Sequence, residues 1–506
     1  MKNNAQDTPI ADICLVLEGT WPYVRGGVSG WIHQMILGLP HVTFSVLFIG
    51  SARNAYGARR YAVPDNVVLI EEVYLEDAWA PVLKKNTLSK TADYQDMSNL
   101  YRYFHHPELP STELGQQWLE AVVNGRMKLD AVLCSRASWE ALSEGYRLHC
   151  ADPSFVSFFW TLRAMQGPLL LLAEAARRQP RARVVHTIST GYAGLVACVL
   201  KQLWGCQCIL SEHGIYTKER KIDLAQASWI ADSSEHALNT ALNTGSGYIR
   251  ALWVRFFERI GKLTYDNSEQ IISLYDGNRK RQIKDGADAR RTQVIPNGID
   301  LPIWSSVLEG RAPGIAPVVG LIGRVVPIKD VKTFLRAMRG VISAMPHVQG
   351  WIVGPEEEDP EYVAECRSLV ASLGLEEKVL FLGFQNIQTI LPQLGLMVLT
   401  SISEAQPLVI LEAWAAGTPV VSSDVGSCRE MIEGGTAEDR DLGVAGEVVA
   451  IADPQATATA IVGLLKSPQR WESAQRNGLA RVSRYYTQAL MIDRYQQLYT
   501  AAMESR

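Results

Sequence analysis

Apolar positions along the chain fall into short runs that alternate with stretches of helical period. ICLVL (13–17) precedes a loop holding Gly26 and Gly27, after which Val28, Trp31, Ile32, Met35, Ile36 and Leu39 recur at close to helical spacing. The pattern predicts strand, glycine loop and helix. VTFSVLFIG (42–50) is the next expected strand; ARVVHTIS (182–189), a helical stretch from Gly191 to about Leu203, and CQCILSEHG (206–214) repeat the alternation. Such alternation predicts a mostly parallel sheet covered on both faces.

Between about 72 and 180 the pattern changes to polar and aromatic segments of helical period, among them LYRYFHH, SWEALSEGYRLHC and FVSFFWTLRAM, predicting a largely helical insertion. An irregular stretch (214–226) precedes a long helix around 248–263, and strands return at 270–275 and 292–300. EGRAPGIAPV (309–318) disfavours helix and central strand and is the best linker candidate. A second alternating unit follows, with strands at 318–325, 348–354, 378–383, 396–401, 419–424 and 446–450. The expected division is 1–308, 309–482 and a Tyr-rich helical tail (483–506) crossing back to the first domain.

The 506 residues carry 49 basic against 53 acidic side chains, a net charge of -4, with no basic stripe, so nucleic acid is a poor partner. No run reaches the roughly 18 apolar residues of a membrane span. The opening MKNNAQDTPIADICLVLEG lacks the charged, apolar and cleavage regions of a signal peptide, so a cytoplasmic chain is expected. Cys206 and Cys208 read as thiols on one strand face rather than metal ligands. The aromatic runs YRYFHH and FVSFFW read as core packing ahead of glycan stacking. The helix carrying Arg250, Arg255, Arg259 and Lys262 beside Trp253, Phe256 and Phe257 reads as core with a solvated basic face, a membrane-surface helix being the alternative.

Four segments could carry chemistry. Gly26 and Gly27 would let backbone N–H groups approach an anion at a helix N-terminus, though the pair reads equally as an ordinary turn. In GRVVPIKD (323–330), Arg324 closes a strand and Lys329 precedes a helix, at the edge where parallel sheets bind ligands. A guanidinium fork and a mobile ammonium together suit a diphosphate; two solvated loop charges are the alternative. In SISEAQPLVILEAWAAGTPVV (401–421), Glu404 follows a strand and Glu412 sits inside a helix that Pro407 can start. Carboxylates accept from sugar hydroxyls, and the first-turn amides of Leu408 and Val409 can hold phosphate oxygens. Glu412 lies among apolar neighbours, where a carboxylate needs partners. Glu212 and His213 directly follow a strand; a lone His is more often structural.

Gly26-Gly27, PNGID (296–300), Arg324 with Lys329, and Glu404 and Glu412 followed by AAGTPVV resemble, in this order, the retaining GT-B glycosyltransferases of family four. More narrowly, LEGTWPYVRGGVSGWIHQMI, SEHGIYTKER and TSISEAQPLVILEA resemble the cytoplasmic glycosyltransferases of Pel exopolysaccharide synthesis. The resemblance implies an α/β GT-B fold: two Rossmann-like domains facing across a cleft, with the helical insertion in the N-terminal one. It implies a UDP-sugar donor, a polysaccharide acceptor and no required metal, with inner-membrane Pel synthase proteins as partners and no membrane span in the chain itself. Carried over, Arg324 and Lys329 neutralise the leaving diphosphate, Gly26 and Gly27 approach its distal phosphate, Glu412 holds the ribose, and Glu404 the donor sugar. His213 is expected near the sugar. Ala405-Gln406-Pro407 stands where many members have glycines, so amide contacts must come from Leu408 or Val409. A GT-B epimerase or phosphorylase, or a UDP-binding scaffold without catalysis, shares these expectations.

Overall fold

The computed structural model describes residues 9–79, 94–105, 111–149, 154–226 and 245–505, so Cys150 and His106 lie outside it. The chain divides into two compact units, one of 1–273, 279–293 and 495–506, the other of 274–278 and 294–494.

The first unit holds strands β1 (Ala11–Glu18), β2 (Phe44–Gly50), β3 (Val67–Tyr74), β4 (Ala182–Thr187), β5 (Gln207–Glu212), β6 (Gln270–Ser273) and β7 (Thr292–Val294). They form one sheet in the order β3-β2-β1-β4-β5-β6-β7. β1 is central and parallel to both neighbours, Ile13 lying opposite Phe44 on one side and Val184 on the other. Ile13 through Leu17 are wholly buried, which is why this strand reads as a continuous apolar run rather than an alternating one. β3 was not foreseen: VVLIEEVY carries adjacent glutamates, one toward each face, because it is an edge strand whose residues before Tyr74 are all at least partly exposed.

Between β3 and β4 the described chain is helical, including Tyr94–His105, Ser111–Val123, Arg136–His149 and Phe155–Arg178. Tyr101, Tyr103 and Phe104 of one aromatic run and Phe158 of the other are buried in the unit's core, whereas Trp160 is exposed. The 24-residue helix Phe155–Arg178 is long and apolar enough to cross a membrane by length and composition, which corrects the expectation that no segment qualifies. Its Phe158, Leu162, Met165, Leu169 and Leu172 pack inside the first unit. Trp253, Phe256 and Phe257 join the same core, so helix Gly245–Asn267 is anchored by its aromatic face. Cys208 is buried and Cys206 half-buried.

The second unit holds β8 (Val318–Ile322), β9 (Gln349–Val353), β10 (Val379–Gly383), β11 (Leu396–Leu399), β12 (Val420–Ser423) and β13 (Gly446–Val449), all parallel, in the order β10-β9-β8-β11-β12-β13. The unit begins ahead of the Pro/Gly-rich segment, because Ile299 and Trp304 of the preceding stretch sit in its core. Arg311 of that segment donates to Thr418 Oγ1 at 2.8 Å and the Leu394 carbonyl at 2.6 Å, tying it to the sheet.

The tail (483–506) takes the last residues of helix Pro468–Tyr485 and the helix Gln488–Glu504. Residues from Tyr495 onward belong to the first unit, where Tyr499 Oη meets His186 Nδ1 at 2.7 Å. Ser211 Oγ in turn meets His186 Nε2 at 2.8 Å and Tyr495 Oη at 2.9 Å, giving a buried polar chain in which each member is satisfied.

Candidate functional site

Open parallel sheets bind ligands beyond the C-terminal strand ends, where the strand order reverses direction. In the first unit that point lies between β1 and β4, in the second between β8 and β11. Each unit therefore offers one place where the expected residues should gather.

In the first unit, Gly26 caps helix Gly27–Gly38 directly after the β1 loop. Neither glycine has a left-handed φ, and a Cβ at either position would meet nothing within 4 Å. The local fold thus does not itself demand glycine there, and the space over the helix N-terminus is open to a ligand. Glu18, at the end of β1, faces inward and accepts from Tyr216 Oη at 3.0 Å; burial raises its pKa. Glu212 accepts from Tyr265 Oη at 2.9 Å and from Thr190 Oγ1, Tyr216 N and Gln282 Nε2 at 3.1 Å. It is a buried tie between β5 and the helices around it. His213 lies beside Trp31, ring centroids 4.6 Å apart and edge-on, and burial pushes its pKa down to about 4. At neutral pH it is an uncharged hydrogen-bonding group.

In the second unit, the loop after β8 carries Arg324 and Lys329. Lys329 is fixed by its backbone: Thr400 Oγ1, just past β11, donates to the carbonyls of Lys329 and Asp330, both at 3.0 Å, and Ile402 N donates to the Ile328 carbonyl at 2.9 Å. Asp330 takes a left-handed φ of 46° and caps the helix Val331–Ala344 by accepting from Thr333 N. These constraints bring the Lys329 ammonium to 2.5 Å from Glu404 Oε1, both side chains being mostly buried. Arg324 stands apart, its Nη1 2.6 Å from Glu358 Oε1, with both side chains half-exposed. Such an exposed pair contributes only about 0.2–1 kcal/mol and exchanges readily for another anion.

The Glu404 loop is held from two sides. Gly426 has φ 54°, and a Cβ there would come within 2.3 Å of the Glu404 carbonyl, while Ser427 N donates to the Ala405 carbonyl at 2.8 Å. The glycine absent from Ala405-Gln406-Pro407 is thus supplied by the turn after β12. On the other side, buried Gln406 accepts from Asn297 N at 2.7 Å. PNGID itself is clamped by Tyr486 and Gln488, whose backbone brackets Ile299; a Cβ at Gly298 would come 2.2 Å from the Thr487 carbonyl. The sequence showed PNGID as a motif but not this scaffolding role, and gave no sign of Thr400, Gln406, Gly426 or Glu358.

Pro407 caps helix Leu408–Ala415, so Leu408 and Val409 present first-turn N–H groups beside Glu404 in the chain. Within this helix Glu412 is the unusual residue. Burial raises its pKa to about 7, and among the described residues its carboxylate, which keeps partial exposure, has neither an ion-pair nor a hydrogen-bond partner. A partly desolvated carboxylate left without a protein partner is open to donors from a ligand. The structure therefore joins Lys329 to Glu404 and places Arg324, Leu408, Val409 and Glu412 on the same unit, with Gly26, Gly27 and His213 on the other.

Residues 11–290 match the family model described as a domain of unknown function, DUF3492, and residues 316–467 match Glycosyl transferases group 1. The lipopolysaccharide core biosynthesis mannosyltransferase LpsB of Rhizobium meliloti is 27% identical over 278 residues, 54% of this chain and 75% of that protein. A D-inositol 3-phosphate glycosyltransferase of Mycolicibacterium paratuberculosis is 28% identical over 309 residues, 59% of this chain and 62% of that relative. Among solved structures, HepE of Anabaena in complex with UDP superposes with a TM-score of 0.60 at 16% identity, covering 97% of this chain and 100% of that one. Sucrose-phosphate synthase of Thermosynechococcus elongatus gives 0.57 at 18%, with the same coverage. These structural likenesses carry the GT-B fold.

Proposed function

This chain belongs to the DUF3492 family and carries a group 1 glycosyltransferase domain at residues 316–467, and from that premise we propose that it transfers a hexose or N-acetylhexosamine from a UDP-sugar to a growing polysaccharide, with retention. The observation that carries the reading is the Lys329–Glu404 pair at the β8/β11 reversal, with unpartnered Glu412 one helix beyond it.

An ammonium has three N–H donors, and Glu404 occupies one; the other two are available to diphosphate oxygens. Arg324 trades Glu358 for the same anion, and the Leu408 and Val409 amides add neutral donors. Together they stabilise the charge that develops on the leaving UDP, the role a divalent ion plays elsewhere, so the reaction is proposed to need no metal. Glu412 accepts from the ribose hydroxyls and Glu404 orients the donor sugar. Same-face attack, with the leaving phosphate oxygen receiving the acceptor proton, requires no protein nucleophile. In the first unit, Gly26 and Gly27 offer amides to a phosphate oxygen, and neutral His213 a hydrogen bond to a sugar hydroxyl.

LEGTWPYVRGGVSGWIHQMI, SEHGIYTKER and TSISEAQPLVILEA support a place like that of PelF, the cytoplasmic glycosyltransferase of Pel exopolysaccharide synthesis, working at the inner-membrane face with the synthase proteins that export the polymer. UDP release measured with UDP-glucose, UDP-N-acetylglucosamine and UDP-N-acetylgalactosamine tests the proposal. One donor should give acceptor-stimulated release that persists in EDTA. Epimerised donor without acceptor, or tight UDP binding with no turnover, contradicts it.

A further inference from the structure

We propose a second anion site, lying wholly within the first unit, that takes a ligand bearing clustered phosphates. Helix Tyr216–Gln226, helix Gly245–Asn267 and the turn at Lys284–Gly286 enclose a cavity of about 400 Å³, within the size range of small-ligand sites. Five cations line it: Lys221, Arg255, Arg259, Lys262 and Lys284. The basic face of the long helix therefore turns into a concave pocket, while its aromatic face is used up in the core.

The acids at this pocket are already engaged. Glu258 takes Lys221 at 2.6 Å, and Asp285 takes Arg281 at 2.8 Å from outside the lining. Among the described residues Lys284 has no acidic partner, and Arg255 holds a buried Nε without a hydrogen-bond acceptor. Gly286 has φ 108°, which favours glycine, and a Cβ there would come 2.6 Å from Cδ of Lys262, whose ammonium pairs with Asp266 outside the lining. The lining carries three more cations than acids, an excess that a diphosphate matches and a single carboxylate does not. Arginine forks add the geometry for phosphate oxygens.

Inorganic pyrophosphate binding to the full chain, measured by calorimetry in an Arg324→Ala/Lys329→Ala background that silences the second unit, tests the assignment. Binding should persist in that background and weaken at least tenfold when Arg255→Gln and Lys284→Gln are added, and also with Lys284→Glu alone. Arg255→Gln/Lys284→Gln in the otherwise native chain should keep its far-UV spectrum and its UDP release. Vesicle co-sedimentation separates the sources. Capture by cardiolipin but not phosphatidylcholine vesicles, lost in Arg255→Gln/Lys284→Gln, assigns a lipid headgroup; pyrophosphate binding without capture assigns a dissolved ligand. Pyrophosphate binding that vanishes with Arg324→Ala/Lys329→Ala, or that ignores Arg255 and Lys284, overturns the proposal.

Discussion

On the proposed function, Glu412 is the side chain whose ionisation should report on the ribose of the donor. With its pKa raised to about 7 by burial, the carboxyl is largely protonated at mildly acidic pH and ionises as pH passes 7. Ribose hydroxyls donate best to the ionised form, so binding of uridine, which carries no phosphate to titrate, should strengthen as pH rises from about 5.5 to 8. Glu412→Gln should flatten that profile in calorimetric titration. Stability runs the other way: a folded-state pKa above the unfolded value of about 4.5 leaves the fold most stable below 4.5 and costs stability as pH rises through 7, so Glu412→Gln should raise Tm at pH 8 more than at pH 5. Gly26→Ala and Gly27→Ala make a complementary pair. Because a Cβ meets nothing at either position, Tm should stay unchanged while turnover falls about tenfold, roughly 1.4 kcal/mol of lost transition-state binding. At this scale the sequence singles out Arg324, Lys329, Glu404 and Glu412 by residue type and spacing. Thr400, Gln406 and Gly426 were not, because each acts through a contact with a segment distant in the chain, such as Asn297 for Gln406.

Among the elements, fully buried strands were the easiest to read. β8 and the Ile13–Leu17 stretch of β1 are apolar and stand next to glycine-bearing loops, whereas edge strand β3 hid behind Glu71 and Glu72, adjacent residues on opposite faces that break its apolar run. Helix Phe155–Arg178 illustrates the opposite difficulty: its leucine run and its flanking polar residues belong to one continuous helix despite Pro168, and its apolar length was visible only once the helix was seen whole. The final helix was legible as helical and Tyr-rich, but not the reason for its tyrosines. Tyr499 satisfies buried His186, which burial holds neutral with a pKa near 3. Tyr499→Phe should leave that nitrogen unpaired and cost about 1–3 kcal/mol in urea unfolding of the full chain. The loss should be the same at pH 6 and pH 8, since His186 does not titrate between them.

For the molecule as a whole, the two sheets repeat one strand order: the first six strands of the first unit and the six of the second share it, counted from β1 and β8 respectively. The repeat explains why the glycine loop after β1 and the cationic loop after β8 occupy equivalent places in their units. Two α/β units could be read from alternation alone, while their division at 293/294 could not, since the segment that looks like a linker is bonded into the second unit by Arg311. The near-neutral net charge likewise concealed a concentration of cations at two places, the loop after β8 and the cavity beside helix Gly245–Asn267. The central claim is that the loop after β8 stabilises a departing nucleoside diphosphate. It is tested most directly by single-turnover transfer from the preferred UDP-sugar in Lys329→Ala. Removal of a preorganised charge at the leaving group should slow the chemical step by about 10²–10³-fold with the fold intact; transfer at the native rate would contradict the account.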